Sequence, residues 1–383
     1  MSTEQRRRRI LEVVQERGSI RVTELGTELG VAAVTARRDV AALATQGLLR
    51  HVYGSVSWPE RTPAYLPVPV DRARPAGDGD RDGSGLVLGM LIPSAAYYFA
   101  EIVRGAQAAA SAAGARLVLG ISGYRPAEDD TQVGRLLESG VDGLLLTPSW
   151  GHDAPVAEQA DRFSALDVPC VLVERRASAL TAAAAELDRV CSDHGYGAFL
   201  AVRHLAELGH LRIALAAHRS PTANAVRAGY LAALDALGLG TPPVPVIETY
   251  SLETNPVGFE TATRQLFEAV REHGVSAAVV HNDVDAIMLV QRLQDLGVQV
   301  PRDLSVIAYD DEVAAFADTP LSAVAPPKSE VGAAAVELLL RRLAERRGPA
   351  RTGSGRAPRR HLDLLPQLTI RDSCRPVGEE KIS

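Results

Sequence analysis

Lysine is almost missing from this chain of 383 residues: of 41 basic residues only Lys328 and Lys381 are lysines. With the many Ala-rich stretches, this points to GC-rich coding, so a single arginine carries little weight as a functional signal. Cysteine is scarce too. Cys170, Cys191 and Cys374 form no CxxC pair and no paired Cys/His spacing, which argues against a structural zinc site or a disulfide framework and fits a reducing compartment. No unbroken apolar run reaches the roughly 18 residues that suggest a membrane span. Arg6 to Arg9 lead into ILEVVQERG, which is charged and amphipathic where an export signal would be apolar, so a cytoplasmic protein with no membrane partner is expected. Catalytic signatures are missing as well. There is no G-x-x-x-x-G-K-[ST], H-E-x-x-H or G-x-S-x-G motif, and Gly238-Leu239-Gly240 runs into Thr-Pro-Pro instead of opening a helix. The expectation is therefore a protein that is not an enzyme and holds no cofactor or metal.

What is present is a chain that should fold, with 46% apolar and 23% charged residues. Its length favours two or three domains over one. The net charge of -6 taken alone argues against a nucleic-acid partner, but the charge is segregated. Residues 1–58 carry nine Arg against six acids, a net of +3; residues 59–85 carry -1, and the rest of the chain -8. Residues 59–85 hold five Pro and four Gly and lack apolar periodicity, so they read as a flexible linker between two folding units.

The amino-terminal 58 residues show helical spacing. Gln5 to Arg17 places Ile10, Val13 and Val14 inward, and Gly18 ends the helix. Ser19 to Arg21 reads as extended, Val22 to Leu29 as a second helix, and Ala33 to Gln46 as a third. On that third helix Ala36, Val40 and Leu43 share one arc, while Val34, Arg38 and Ala41 lie opposite with Thr35 and Arg37 on the flanks. A short helix with small residues and two adjacent arginines outward can enter a major groove. The segment LLRHVYGSVSW alternates around Gly54 as a hairpin would, placing Arg50, His51 and Tyr53 near a phosphate backbone. This stretch, with RRRRILEVVQERGSIRVTELGTELGV, Thr35, Arg37-Arg38-Asp39 and Gly47-Leu48-Leu49, resembles the winged helix-turn-helix of the DeoR family of bacterial transcriptional regulators. Two positions depart from that pattern: Ala32 replaces the usual Ser before the recognition helix and loses its capping side chain, and the wing reads Gly54-Ser55-Val56.

From Leu86 onward short apolar runs alternate with amphipathic stretches, the pattern of βα units in parallel sheets covered on both faces. So many units exceed one sheet and predict two lobes, with crossings near residues 186–193, within 311–328 and in the carboxy-terminal segment; residues 376–383 are a tail. Ligands of such sheets collect at the carboxyl ends of strands. Those ends hold Ser94 to Phe99, Thr147 to Asp153, Glu174-Arg175, Asn282-Asp283 and Asp310-Asp311. Although aromatics are only 4% of the chain, Tyr97, Tyr98, Phe99 and Trp150 fall there. Aromatic faces beside carboxylates and amides suit a polyhydroxylated ligand. Trp150 equally suits the closing of a core.

These loops resemble the effector-binding core of the LacI/GalR regulators, which is similar to periplasmic sugar-binding proteins. The match runs through LGMLIP, VDGLLLTPS, VPCVLVERR, VCSDHGYGAFLAVRHLAELGHLRIAL, SAAVVHNDVDAI, LGVQVPRDLSVIAYDD and PLSAVAPPKSEVGAAAVELLLRRL, covering nearly all of residues 86–375. The resemblance implies that Glu174, Asn282 and Asp310 contact ligand, with Tyr98 and Phe99 on the first loop. Ser94, Trp150 and Arg175 join them as candidates. The family's ligand-binding Arg is replaced by Val226, and Arg227 comes one residue later, a 100° rotation on a helix that aims it beside the pocket. Lys328 has two readings, a cation for an acidic ligand or the start of a helix near a lobe crossing. Asp193, His204 and His210 read as capping or packing residues.

The expected protein has an α/β fold class: an amino-terminal winged helix-turn-helix plus a two-lobed periplasmic-binding-protein-like core with parallel sheets. Its expected function is a homodimeric repressor of transcription whose grip on double-stranded operator DNA is modulated by a small-molecule effector, a sugar or sugar derivative. An activator of the same architecture is the first rival. A cytoplasmic solute-binding protein and a sugar-acting enzyme are weaker ones.

Overall fold

The computed structural model describes residues 85–150, 157–176, 186–347 and 358–378, with scattered positions between Arg6 and Ser57. The chain divides into two units, Met1–Asp80 and Arg81–Ser383. In the first, Ile10, Val13, Val14, Leu25, Val40 and Leu43 form one buried cluster, as their helical spacing demands. Strands β1 (Ser19–Arg21), β2 (Arg50–Val52) and β3 (Ser55–Ser57) make an antiparallel sheet in the order β1-β3-β2. The hairpin of the wing is thus present, and Ser19–Arg21 adds a third strand to it. Thr35, Arg37, Arg38 and Tyr53 lie outside the described residues, and only the backbone of Arg50 and His51 is described.

The second unit holds two six-stranded sheets. The first comprises β4 (Val87–Ile92), β5 (Arg116–Ile121), β6 (Gly143–Leu146), β7 (Cys170–Val173), β8 (Asp188–Ser192) and β14 (His361–Leu364). Their order is β14-β8-β7-β6-β4-β5, with every pair parallel. The second comprises β9 (Ile213–His218), β10 (Ile247–Thr249), β11 (Ala277–His281), β12 (Ser305–Tyr309), β13 (Ser322–Ala325) and β15 (Gln367–Thr369), ordered β10-β9-β11-β12-β13-β15. Only β15 runs antiparallel to its neighbour there. The central strands β6, β7, β11 and β12 are buried at every residue, which is why they read as unbroken apolar runs: helices cover both faces of each sheet.

Helices of this unit are numbered from its own start: α1 (Tyr98–Ala112), α2 (Pro126–Glu138), α3 (Ala157–Ser164), α4 (His194–Glu207), α5 (Ala223–Ala236), α6 (Pro256–Glu272), α7 (Asp283–Asp295) and α8 (Lys328–Arg347). The chain passes between the lobes three times. It leaves the first sheet after β8 and enters α4, returns after β13 through α8, and crosses again between β14 and β15.

Two contacts secure α8 against the first lobe. It crosses α1 at glycines: a Cβ on Gly105 would lie 1.9 Å from the Ser329 carbonyl oxygen, and one on Gly332 2.0 Å from that of Ile102. Arg342 then forms a two-pronged, buried ion pair with Asp188 of β8, at 2.5 and 2.7 Å. Among the described residues no helix is long and apolar enough to cross a membrane.

Candidate functional site

The carboxyl ends of both sheets bring together side chains far apart in sequence. After β4, Tyr97 reaches across to the second lobe, where its hydroxyl donates to Asp283 and, at 3.3 Å, to Asp310. The next residue, Tyr98, stays within its own lobe and donates to Glu174 at 3.0 Å. Glu174 also accepts from the Ser192 hydroxyl at 2.7 Å and pairs with His194 at 3.3 Å. His194 opens α4 and lies 3.3 Å from the Tyr309 hydroxyl at the end of β12. The rings of Tyr98, His194, Tyr309 and His281 therefore succeed one another from the first lobe into the second, with centroids 5.4 to 6.4 Å apart.

Of its two expected roles, Lys328 takes that of helix start at a lobe crossing, and its ammonium is held by the protein itself. It starts α8, and its buried ammonium donates to the Asp310 carbonyl oxygen, pairs with Glu312 at 2.6 Å and lies 5.3 Å from the centre of the Tyr98 ring. This is one of two lysines in an arginine-rich chain. A compact ammonium with three donors meets the carbonyl and the carboxylate together.

The carboxylates here are not equivalent. Asp283 is saturated: one oxygen accepts from the backbone N–H groups of Glu312, Val313 and Ala314, and the other from Tyr97. Burial would raise the Glu174 carboxyl, but His194 and Ser192 outweigh it and hold it below its ordinary value. Asp310, 5% exposed, has a single side-chain hydrogen bond among the described residues, from Tyr97. Burial pushes its carboxyl up to about 7, with Lys328 and His194 pulling it down and Asp283 pushing it further up. Tyr97 is itself pushed far above the ordinary phenol value by burial and by Asp310 and Asp283, which keeps it a donor. His281 is driven down to about 3 by burial and by the neighbouring His194 and His218; its Nδ1 is buried without a hydrogen-bond partner.

The backbone is strained at the same places. Tyr97, Tyr124, Glu174, Asp310 and Asp311 adopt positive φ of 51°, 58°, 51°, 90° and 55°, and all five directly follow strands or lie in the loops after them. Such conformations in side-chain-bearing residues concentrate where function holds them.

Other expected residues are placed differently. Phe99 belongs to the apolar core of the first lobe, because it follows Tyr98 by one helical position and turns under the sheet. Trp150 is also core, packed with Leu91, Phe163 and Leu172. Arg227 is exposed on α5 while Val226 is fully buried, so the 100° rotation takes the guanidinium away from this network. Ser94 caps its own turn by accepting from Ala96 N at 3.1 Å. Asn282 caps α7 by accepting from Asp285 N at 3.0 Å. Arg175, 5% exposed, donates to the carbonyls of Pro148 and Glu174. Asp193 caps α4, and His210 ties Ser276, Ser305 and Arg375 together, both structural. Tyr97, Ser192, His194 and Tyr309 are additions. Only Tyr97 carried a sequence signal, its place in an aromatic cluster at a strand end.

A two-lobed core whose facing strand ends gather polar side chains, following an amino-terminal helix-turn-helix, defines a ligand-responsive DNA-binding regulator. Residues 6–62 match the DeoR-like helix-turn-helix domain, and residues 202–374 the periplasmic binding protein-like domain. The HTH-type transcriptional repressor PurR of Vibrio parahaemolyticus is 30% identical over 76% of this chain and 82% of its own. The HTH-type transcriptional repressor CytR of Escherichia coli is 29% identical over 73% and 77%. The solved complex of the transcriptional regulator CelR with cellobiose shares the fold, with a TM-score of 0.62 at 23% identity over 90% of this chain and 91% of that one. This chain belongs to the LacI family of transcriptional regulators, with a DeoR-like reading head.

Proposed function

We propose that the protein is a cytoplasmic, homodimeric repressor whose hold on a two-fold operator is set by a polyhydroxylated effector in the cleft between its lobes. The observation that carries this reading is the Asp310 carboxylate: buried at the cleft, on strained backbone, with hydrogen-bonding capacity that the protein itself leaves largely unused. A sugar hydroxyl is a donor that would use it. The homodimer supplies the second reading head that a palindromic site requires; edge strand β5, with Leu119 and Ile121 exposed, offers an apolar rim. Thr35, Arg37 and Arg38 are assigned to base edges and Arg50, His51 and Tyr53 to phosphates.

Thermal-shift screening against sugars, sugar phosphates and nucleosides, read beside operator binding by fluorescence anisotropy, tests the reading. A stabilising compound should change operator affinity about 5- to 150-fold, and Asp310→Ala should lose the stabilisation while still folding. Arg37→Ala and Arg38→Ala should each weaken operator binding, at least one with altered base preference. A compound that stabilises the protein and leaves operator binding unchanged would refute the reading.

A further inference from the structure

We propose that the effector carries an oxyanion, either a carboxylate or a phosphate, bound by the guanidinium of Arg175 beside the loop from Thr147 to Trp150. This rests on the cleft being the effector site.

Two buried arginines show the contrast. Arg342, 6% exposed, meets Asp188 with both prongs. Arg175, 5% exposed, has no ion-pair partner among the described residues, where it donates to two neutral carbonyls, Pro148 O at 2.6 Å through Nε and Glu174 O at 2.8 Å through NH1. The acids that act on it from further away are committed elsewhere. Glu174 serves Ser192, Tyr98 and His194, and Asp129 accepts from Ser149 N at 2.6 Å and its hydroxyl at 3.0 Å. A guanidinium has five N–H donors, so two carbonyls leave most of it unspent.

The neighbouring loop adds donors in the same state. Thr147 Oγ1 and Trp150 Nε1 are buried and have no hydrogen-bond partner among the described residues, and an indole N–H can only donate. They flank Pro148, whose carbonyl anchors Arg175. A neutral sugar could occupy the hydroxyl and indole donors but would leave the cation uncompensated. A planar or tetrahedral oxyanion answers the charge and the fork geometry together. Burial pushes the guanidinium's pKa down, the direction that an arriving anion reverses. The effector class is then bipolar: hydroxyls toward Asp310 in the second lobe and an acid group toward Arg175 in the first.

Isothermal titration with matched sets tests this: glucose, glucuronate and glucose 6-phosphate; ribose, ribonate and ribose 5-phosphate; and inorganic phosphate alone. In the wild type, an acid should bind at least about tenfold more tightly than its neutral parent, and whether uronate or phosphate wins identifies the oxyanion. Arg175→Gln should abolish the preference, Arg175→Lys should keep part of it, and inorganic phosphate should raise Tm only where residue 175 is cationic. Trp150→Phe, which removes one donor and no charge, should weaken acid binding several-fold and still leave the acid preferred over its neutral parent. Equal binding of acid and parent, a preference that survives Arg175→Gln, or no Arg175-dependent binding of any acid or phosphate overturns the subsite. An Arg175-dependent preference with an operator complex indifferent to the bound acid supports the subsite and instead overturns the assignment of the cleft as the effector site.

Discussion

Asp310→Asn should make the ligand-free protein more stable at neutral and alkaline pH. Raising a carboxyl from 3.8 to about 7 corresponds to a penalty of ~4 kcal/mol on its charged form. The folded state binds more protons than the unfolded one between those values, so Asp310 draws stability down as pH rises through 3.8 to about 7, and the full penalty stands above. Asparagine has the same shape and can still accept from Tyr97, but carries no charge to bury. Its gain over wild type should therefore be near zero at pH 4, grow through the interval and level off by about pH 8 at up to ~4 kcal/mol, a figure that already includes the Lys328 attraction. Urea unfolding at several pH values, read as the difference between the two proteins, isolates this group. The subtraction removes His281, which is held near 3 and gives the opposite slope, gaining stability as pH rises from about 3 to 6.5. A difference that is flat with pH, or a variant less stable at pH 8, would refute the account of Asp310. The same variant should bind effector poorly, since the carboxylate oxygen that Tyr97 leaves unused becomes an amide NH2 that only donates.

Three further outcomes are expected. Tyr97→Phe removes the hydroxyl that joins the lobes while Asp283 keeps its three backbone donors, so the fold should survive, effector affinity should fall about tenfold, and hydrogen exchange at the lobe crossings should speed up; unchanged exchange would contradict the bridging role. Gly229→Ala places a Cβ 2.0 Å from the Gly195 carbonyl oxygen, a backbone atom that cannot swing aside, so α4 and α5 must separate at a cost of about 1 to 3 kcal/mol by chemical denaturation. Arg342→Ala removes both prongs of the pair from fully buried Asp188, leaving it the Arg359 guanidinium at 3.4 Å and the Arg360 N–H, and should cost about 3 kcal/mol at pH 7. Burial opposes ionisation of Asp188, but Arg342 and Arg360 hold it below its ordinary value, so that deficit should shrink as pH falls below about 4.

Fold and site were legible to different depths, for physical reasons. Strands buried on both faces have to be written as runs such as GLLL and CVLV, so both sheets showed in the sequence. The first helix of the reading head showed through Ile10, Val13 and Val14 because burial on one face imposes the helical period. The site showed only as strand-end loops. Nothing in the residue order says that Tyr97 faces the other lobe while Phe99 turns into the core, because one residue on a starting helix is a 100° rotation. His194 carries no signal of its own in the sequence; its partners Glu174 and Tyr309 meet it only after the chain has crossed between lobes. The strained backbone at Glu174 and Asp310 has no sequence signature, since neither is the glycine that positive φ favours.

The placement of strain and charge bears on how a ligand can move the DNA-reading end at all. An effector shifts an equilibrium only by the difference in its affinity for the two states. Contacts confined to one lobe would bind equally well whether the lobes are together or apart. Here the unspent groups are divided, Arg175, Thr147 and Trp150 in the first lobe and Asp310 in the second, so a ligand that satisfies both ends gains its full affinity only when the lobes are together. The protein's own bridges, Tyr97 to Asp283 and Asp310, and Lys328 to the Asp310 carbonyl and Glu312, favour the same arrangement. They set the starting population on which the ligand acts. A tenfold change in that population requires ~1.4 kcal/mol, about the worth of one hydrogen bond to a charged group. Loss of a single bridge should thus weaken the effector and reset the unliganded grip on operator together, and the ratio of those two changes measures how tightly lobe closure and DNA reading are coupled.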